Sequence, residues 1–352
     1  MSSAAFFFTA CLACVVATPS SARERLQGEG LGSTWKVTLV DRPSVDAATL
    51  RQGIQNQIDT LTQQLSRWDP KSTLSQLNAN TEDAWHPLPN ELFIALSYAL
   101  DLAKQTNGAY DPTVAPLVDV WGFGKGGRRY SPPEASEIAT ARARVDWSRV
   151  TLDAAEKRVR RPAGTQLDLS SMTHGFAADQ VATYLRSVGV TRYLVDVGSE
   201  LRAQGADPKG HPWQVAIERP PPELTPAMDD QTVDDSNARS ATDEPPMHIV
   251  SLKDAGIATS GNYRYFFDYN GRRYSHRIDP RTAEPISSVL AAVTVIAPEA
   301  MHADALATAL TVLGPDEGLE YAQRHDIAAL FILRGEQGLE ERMTPQFKAY
   351  LN

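Results

Sequence analysis

The dipeptide Asn270-Gly271 is the strongest short-range structural signal in the chain, because it favours the tight turn of a two-residue β-hairpin. The flanking runs, 265–269 and 272–276, have the aromatic and polar composition of strands. A hairpin is antiparallel, whereas a doubly wound sheet is built from parallel strands joined by crossover helices. Together with the helical segments described next, the hairpin predicts an α+β fold rather than a doubly wound one.

Apolar spacing indicates the helices. Six apolar residues recur every three or four positions from 47 to 68, which places them on one helix face: Leu50, Ile54, Ile58, Leu61, Leu65 and Trp68. Further helices are predicted at 90–106, 175–187, 303–313 and 316–324. Strands are predicted at 193–197, 201–203, 213–218, 248–252 and 327–333.

The charge balance argues against a nucleic-acid partner. The formal net charge is −9, and such a partner would require clustered Lys and Arg. Seven acidic residues and a single Arg fall within 221–247, a segment that is also rich in proline. We therefore expect a disordered acidic insertion at 221–247, and the rest of the chain is nearly balanced in charge.

The N-terminus resembles an export signal. Residues 6–17 are apolar, and Ser20-Ser21-Ala22 supplies the small residues of a cleavage site, so 1–22 is predicted to be a signal peptide and 23–352 a single domain. Cys11 and Cys14 are the chain's two cysteines, so the mature domain would contain no thiol chemistry. Two alternatives stay open: acylation of Cys14 as a lipoprotein, and a buried N-terminal element.

A possible metal site lies in the segment 303–309. Asp304 and Thr308 are four residues apart, so on a helix they point the same way and offer oxygen ligands suited to a hard cation such as magnesium. The alternative is structural: Asp304 could serve the helix N-terminus, and Thr308 could bond back to the preceding turn.

Three other segments could carry chemistry. At 168–179 a strand runs through Ser170 and Ser171 into a helix, a turn that binds anions or is simply capped by Ser171 or Thr173. His276 ends a strand and is a candidate base or a structural histidine. The loop 108–124 could sandwich a planar ring or be a packed turn. The common nucleotide-binding and zinc-protease motifs do not occur in the sequence.

These segments, in this order, resemble the ApbE family of periplasmic flavin transferases. The similarity extends from about residue 32 to the C-terminus. It is carried by seven blocks: LSRWDPKSTLSQLN (65–78), GAYDPTVAPLVDVWGFG (108–124), LDLSSMTHGFAADQVA (167–182), YLVDVGSELRAQG (193–205), ATSGNYRYFF (258–267), YSHRIDPRT (274–282) and VTVIAPEAMHADALATAL (293–310).

The resemblance implies an ApbE-like, T-fold-like arrangement of mixed sheet and helices, with the FAD and metal site between two lobes. It implies magnesium-dependent transfer of FMN from FAD to a Thr or Ser hydroxyl of a partner protein, with release of AMP. The implied metal ligands are Ser171, Asp304, Ala307 and Thr308, and the implied base is His276. The implied FAD-binding residues are Leu31, Trp68, Ala109, Tyr110, Asp111, Asp168, His174 and Ile278.

Two positions depart from the family pattern: His174 stands where many members have Lys, and Ala283 replaces the Gly of a DPRTG motif. Two other functions stay open, an FAD pyrophosphatase and a periplasmic FAD-binding protein without catalysis. The sequence contains no Asp-Gly-x-Ser/Thr-Gly acceptor motif. The acceptor is therefore expected to be another protein, such as a membrane-bound or exported redox subunit.

Overall fold

The structure is a computed structural model that describes residues 24–221, 245–263 and 265–351. The predicted signal peptide, with both cysteines, lies outside the described residues. So does nearly all of the predicted insertion at 221–247.

The described residues form the following elements. The helices are α1 (Ala47–Leu65), α2 (Thr73–Ala79), α3 (Asn90–Gln105), α4 (Ala115–Val120), α5 (Ala135–Arg142), α6 (Ser170–Ser187), α7 (Ala300–Arg324) and α8 (Pro345–Lys348). The longer strands are β1 (Glu24–Gly30), β2 (Ser33–Leu39), β6 (Tyr193–Val197), β7 (Glu200–Gln204), β8 (Trp213–Ile217), β9 (His248–Leu252), β10 (Gly256–Gly261), β11 (Phe266–Tyr269), β12 (Arg272–Ser275), β15 (Leu290–Ala297), β16 (Ala328–Gly335) and β17 (Gly338–Met343). The short strands are β3 (His86–Pro87), β4 (Thr151–Asp153), β5 (Arg158–Arg160), β13 (Ile278–Asp279) and β14 (Glu284–Pro285).

The main sheet has the strand order β1-β2-β6-β7-β10-β15-β16-β17, and every neighbouring pair is antiparallel. This order confirms the predicted α+β class. Strands β10 and β15 are neighbours near the centre of the sheet, where Ala258 pairs with Val295. The sheet therefore brings together segments that are far apart in the chain.

Most of strand β16 is buried on both faces. Along β16, Ala329, Phe331 and Leu333 pack in the apolar cluster that contains α7. The alternate residues Ala328, Leu330 and Ile332 pack in a second cluster with β8, β9 and Phe347 of α8. Two-sided burial explains why the segment is continuously apolar instead of alternating.

The helices α6 and α7 meet at their N-terminal ends. A Cβ on Gly175 would lie 2.3 Å from the Ala300 carbonyl oxygen, so only glycine permits this close approach. Asp179 of α6 accepts hydrogen bonds from the backbone N–H groups of Ala300 and Met301, which begin α7. These contacts join the second and third turns of α6 to the first turn of α7, and the candidate site lies at this end of the two helices.

The predicted hairpin is confirmed as β11–β12. Asn270 and Gly271 have φ values of 49° and 74°, the left-handed conformations that a type I′ turn requires. Phe267 and Tyr274 of this hairpin pack against Trp121 and Phe123 in a separate apolar cluster. This cluster lies apart from the main core and includes Ile278.

Several predicted boundaries differ from those of the structure. The first helix ends at Leu65, so Trp68 lies beyond it. Helix α6 begins at Ser170, five residues before the prediction. The two helices predicted at 303–313 and 316–324 are separated at Gly314, whose φ of 82° is not helical, and at Pro315. No helix in the described residues is long and apolar enough to cross a membrane.

Candidate functional site

At the N-terminus of α6, the side chain of Ser171 does not cap the helix. The residue before the helix is Leu169, and the Asp168 carboxylate accepts a hydrogen bond from the Ser170 N–H at 2.9 Å. Thr173 donates to the Leu169 carbonyl. The predicted alternative of a cap by Ser171 or Thr173 is therefore wrong, because Asp168 occupies that role and Ser171 lies inside the first turn.

Tyr110 is the partner of Ser171. It lies in the turn after α3, which reverses at Asn107 and Gly108 through positive φ values of 49° and 79°. The Tyr110 hydroxyl is 2.8 Å from Ser171 Oγ. Burial raises the pKa of Tyr110 well above its usual value, and the charges of Asp304 and Asp168 raise it further. Tyr110 is therefore a neutral hydroxyl at physiological pH.

Asp304 projects from the second turn of α7 toward α6. Its carboxylate accepts a hydrogen bond from the Gly175 N–H at 3.2 Å, so Asp304 does not serve the N-terminus of its own helix. Burial raises the pKa of Asp304 to about 7, although the Gly175 N–H and the charge of Arg277 both act in the opposite direction. This is a carboxylate for which a nearby cation would be strongly favourable.

Thr308 lies one turn further along α7, on the same face as Asp304, as its spacing predicts. Its hydroxyl is 3.1 Å from Ser260 Oγ on β10 and 3.4 Å from the Arg277 guanidinium. The expected alternative, a bond from Thr308 back to the preceding turn, is not what the structure shows. Instead Thr311 makes such a bond, donating to the Ala307 carbonyl at 2.7 Å.

His276 lies directly before Arg277, after the end of β12. Its Nδ1 is 2.9 Å from the Tyr265 carbonyl oxygen, which can only accept, so Nδ1 carries the proton and Nε2 holds the lone pair. Burial, reinforced by the charge of Arg277, lowers the pKa of His276 to about 3. The ring is therefore neutral at pH 7.

The remaining residues implied for FAD binding have varied surroundings. His174 Nε2 is 3.2 Å from the Leu31 carbonyl oxygen, so these two are brought together. Trp68 is 57% exposed, and it offers a ring that Arg67 covers at 5.4 Å from the ring centre. Ala109, Tyr110, Asp111 and Ile278 are buried, and Asp168 is partly buried.

Among the buried ones, Asp111 accepts two hydrogen bonds from Thr113, which stabilise the turn that also presents Tyr110. Ala109 and Ile278 are part of the apolar clusters around α7 and around the hairpin, respectively. The contacts of Asp111, Ala109 and Ile278 in this structure stabilise the fold. Their roles in FAD binding stay predictions.

Arg67 is a residue that the sequence analysis missed. It is buried and bridges Asp168 at 2.9 Å and Asp119 at 2.7 Å. Burial alone would lower the pKa of Arg67, but the two carboxylates outweigh it and raise the pKa. Its partners are 101 and 52 residues away in the chain, so no local pattern pointed to them. Arg67 holds Asp168 at the start of α6.

Comparison with known proteins confirms the family resemblance. A family model described as the ApbE family matches residues 31–331. The chain belongs to the ApbE family. It is 35% identical to the FAD:protein FMN transferase of Haemophilus influenzae, over 92% of this chain and 90% of that protein. It is 34% identical to the FAD:protein FMN transferase of Klebsiella pneumoniae, over 95% of this chain and 91% of that protein.

Solved ApbE structures have the same fold. The apo form of the Pseudomonas stutzeri flavinyl transferase ApbE superposes with a TM-score of 0.81 at 35% identity, over 94% of this chain and 96% of that chain. The flavin transferase ApbE of Vibrio cholerae also gives 0.81, at 32% identity, over 94% of this chain and all of that chain. The expected ApbE-like fold is thus confirmed.

In this ApbE chain the donor set suits a hard cation. The implied donors are one carboxylate, Asp304, the hydroxyls of Thr308 and Ser171, and the carbonyl of Ala307, which accepts from Thr311 in this structure. Across 24–221, 245–263 and 265–351 no three His, Cys, Asp or Glu side chains form a cluster that could hold a metal. Carboxylate, hydroxyl and carbonyl oxygens are the ligand types that magnesium prefers.

The departure at Ala283 has a structural consequence in this ApbE chain. Ala283 has a φ of 63°, a left-handed conformation that glycine adopts without strain. Its carbonyl accepts a hydrogen bond from the Trp121 indole at 2.9 Å, and its side chain is buried in the hairpin cluster. The surrounding packing therefore maintains a conformation that alanine alone disfavours.

Proposed function

We propose that this chain is a magnesium-dependent FAD:protein FMN transferase that modifies a Thr or Ser hydroxyl of a partner protein and releases AMP. The observation that carries the proposal is the meeting of α6 and α7, where Gly175 N–H contacts Asp304 and Ser171 pairs with Tyr110. The names of the relatives support the reaction type. A carboxylate on one helix, with hydroxyl groups on the same helix and on its neighbour, suits a metal-bound diphosphate.

The reaction balances as a phosphoryl-type transfer. The acceptor oxygen forms a bond to the phosphorus of the FMN half, the P–O bond to the AMP half breaks, and the hydroxyl proton leaves. Asp304, Thr308, Ser171 and the Ala307 carbonyl would hold magnesium. When bound, the ion neutralises charge on the diphosphate.

His276 is suited to accept the hydroxyl proton at Nε2. Its neutral ring leaves that lone pair available, while the Tyr265 carbonyl fixes the orientation through Nδ1. Part of the lowered pKa of His276 comes from the charge of Arg277. The negative diphosphate of bound FAD would offset this charge and raise the pKa of His276 toward a useful range.

We also propose that this chain is exported to the periplasm. The 1–22 segment supports translocation to the periplasm, and acylation of Cys14 would add an inner-membrane anchor. Cell fractionation of the full chain and of Cys14→Ala distinguishes the two forms. A soluble periplasmic pool for both variants supports a cleaved signal peptide, membrane retention that Cys14→Ala abolishes supports the lipoprotein, and a cytoplasmic pool contradicts export.

The decisive test mixes residues 23–352 with FAD, magnesium and a fragment that carries an Asp-Gly-x-Ser/Thr-Gly acceptor sequence. A fluorescent adduct that survives denaturation, together with AMP in equal amount, is the expected result. AMP and free FMN without adduct would identify a pyrophosphatase, and intact FAD would leave only an FAD-binding protein. Replacing the acceptor Thr or Ser by Ala is the matched control.

A further inference from the structure

Arg277 is a charged group without a charged partner in the described part of the chain. Its Nη1 lies 3.4 Å from Thr308 Oγ1 and its Nη2 lies 3.4 Å from Ser260 Oγ. Its Nε is buried and has no hydrogen-bond partner. No described carboxylate is within ion-pair distance of the guanidinium. The guanidinium has five N–H donors, and the two long contacts to neutral hydroxyls use few of them.

Hydrogen bonds fix the backbone at Arg277. The Arg277 N–H donates to Ser275 Oγ at 3.0 Å, and its carbonyl accepts from the Ile286 N–H at 2.9 Å. Ser275 in turn bonds to the buried side chain of Asn262. The side chain therefore starts from a fixed point, and its guanidinium lies beside Thr308 without an ion pair of its own.

Arg277 is partly buried, and keeping such a cation away from water is costly unless a negative ligand compensates. Burial lowers the pKa of Arg277, and the largest opposing influences are the charges of Asp304, Glu200 and Asp168. Asp304 and Thr308 are also the residues that would hold magnesium. A guanidinium beside a divalent cation is repelled by it, unless an anion with several negative oxygens lies between them.

We infer that Arg277 binds the diphosphate of FAD, with its guanidinium on oxygens that lie on the β10 side of the metal ligands. This inference rests on the proposed function. The planar fork of arginine can contact two phosphate oxygens at once, which the two hydroxyls now beside it cannot replace. Arg277 is thus a substrate-binding residue, and it positions the bond that breaks.

The test measures FAD binding without magnesium. Arg277→Gln, Arg277→Lys and the control Arg272→Gln, an exposed arginine of the same hairpin, are titrated with FAD and with riboflavin in the presence of a chelator. We expect Arg277→Gln to weaken FAD binding about tenfold or more, with riboflavin binding unchanged because riboflavin has no phosphate. Arg277→Lys should recover part of the loss, and Arg272→Gln should resemble wild type.

Thermal unfolding separates binding from structure. Arg277→Gln should leave the melting temperature unchanged or raise it, because a partly buried charge without a carboxylate partner is removed. Wild-type affinity for FAD in Arg277→Gln would overturn the inference. So would a loss of FAD affinity accompanied by a lowered melting temperature, since that indicates a structural role.

The adduct assay on the wild-type chain keeps the two proposals distinct. If wild type forms the adduct while Arg277→Gln binds FAD normally, the function stands and the role of Arg277 is wrong. If wild type forms neither adduct nor AMP but FAD binding depends on Arg277, the diphosphate contact stands and the transferase proposal fails.

Discussion

The Asp304 carboxylate accepts a hydrogen bond from the Gly175 N–H, and this 3.2 Å contact joins the second turn of α7 to the second turn of α6. Asp304 thereby links the two helices. Its charge also acts on Tyr110, the partner of Ser171. The four predictions that follow test this arrangement and the residues that support it.

Asp304→Asn should abolish most transfer while preserving the fold. Asparagine keeps an oxygen for the Gly175 N–H, but it removes the charge that would hold magnesium, so we expect a loss of roughly 100-fold or more in rate. Since burial raises the pKa of Asp304 to about 7, a neutral side chain should be tolerated without loss of stability. Magnesium titration of transfer and thermal unfolding measure the two effects.

The control is Asp316→Asn, an exposed carboxylate further along α7, which should retain wild-type magnesium dependence. Normal magnesium dependence in Asp304→Asn would remove Asp304 from the metal site.

His276→Asn should lower transfer by about 100-fold to 10,000-fold. The asparagine N–H group can replace Nδ1 as the donor to the Tyr265 carbonyl, whereas nothing replaces the Nε2 lone pair. Single-turnover formation of the adduct measures the effect, with His211→Asn, an exposed histidine, as the matched control. Full activity in His276→Asn would mean that another group accepts the proton.

Stability should fall in acid partly because of His276. Its pKa is lowered from 6.5 to about 3 in the folded protein, so below pH 6.5 the unfolded chain binds a proton that the native state does not. The stabilising contribution is complete above pH 6.5 and declines toward pH 3, with a limiting slope of about 1.4 kcal/mol per pH unit. Urea unfolding of wild type and His276→Asn from pH 7 to pH 4 measures it. Equal slopes for the two proteins would contradict the lowered pKa.

Arg67→Met should destabilise the fold by about 3 kcal/mol or more, because it leaves the carboxylates of Asp168 and Asp119 without their buried partner. Arg160→Met is the matched control, since Arg160 pairs with Asp83 in an exposed ion pair and its loss should cost far less. Chemical denaturation of both variants gives the comparison. Similar losses in the two would show that burial of Arg67 adds nothing to its ion pairs.

Local structure was predictable wherever the chain carries a periodic pattern. The β11–β12 turn, β6 and β9 match their predicted positions, and α3 differs by one residue, because hairpin chemistry and apolar spacing act over a few residues. Strands β10 and β15 were not predicted as strands. The segment 290–297 reads LAAVTVIA without alternation, since both faces of that strand are buried.

The candidate site, too, was predictable from the sequence only in part. The four-residue spacing of Asp304 and Thr308 predicted their shared face. It did not predict that Thr308 would contact Ser260, or that Tyr110 would contact Ser171, because those pairs are separated by 48 and 61 residues. Arg277 lies in the block YSHRIDPRT (274–282), which resembles the family. Only its missing ion partner distinguishes it, and that is a property of the folded protein.

The sequence by itself determined many of the helices and strands, the family resemblance and the residue types available for chemistry. Helical spacing and turn residues are local, and seven blocks in order are specific regardless of how they pack. The tertiary structure alone decided which of those residues meet. The order of strands in the main sheet and the glycine contact between α6 and α7 bring Gly175 to Asp304 across 129 residues. Contacts over such separations depend on the packing of the whole core, so no local pattern encodes them.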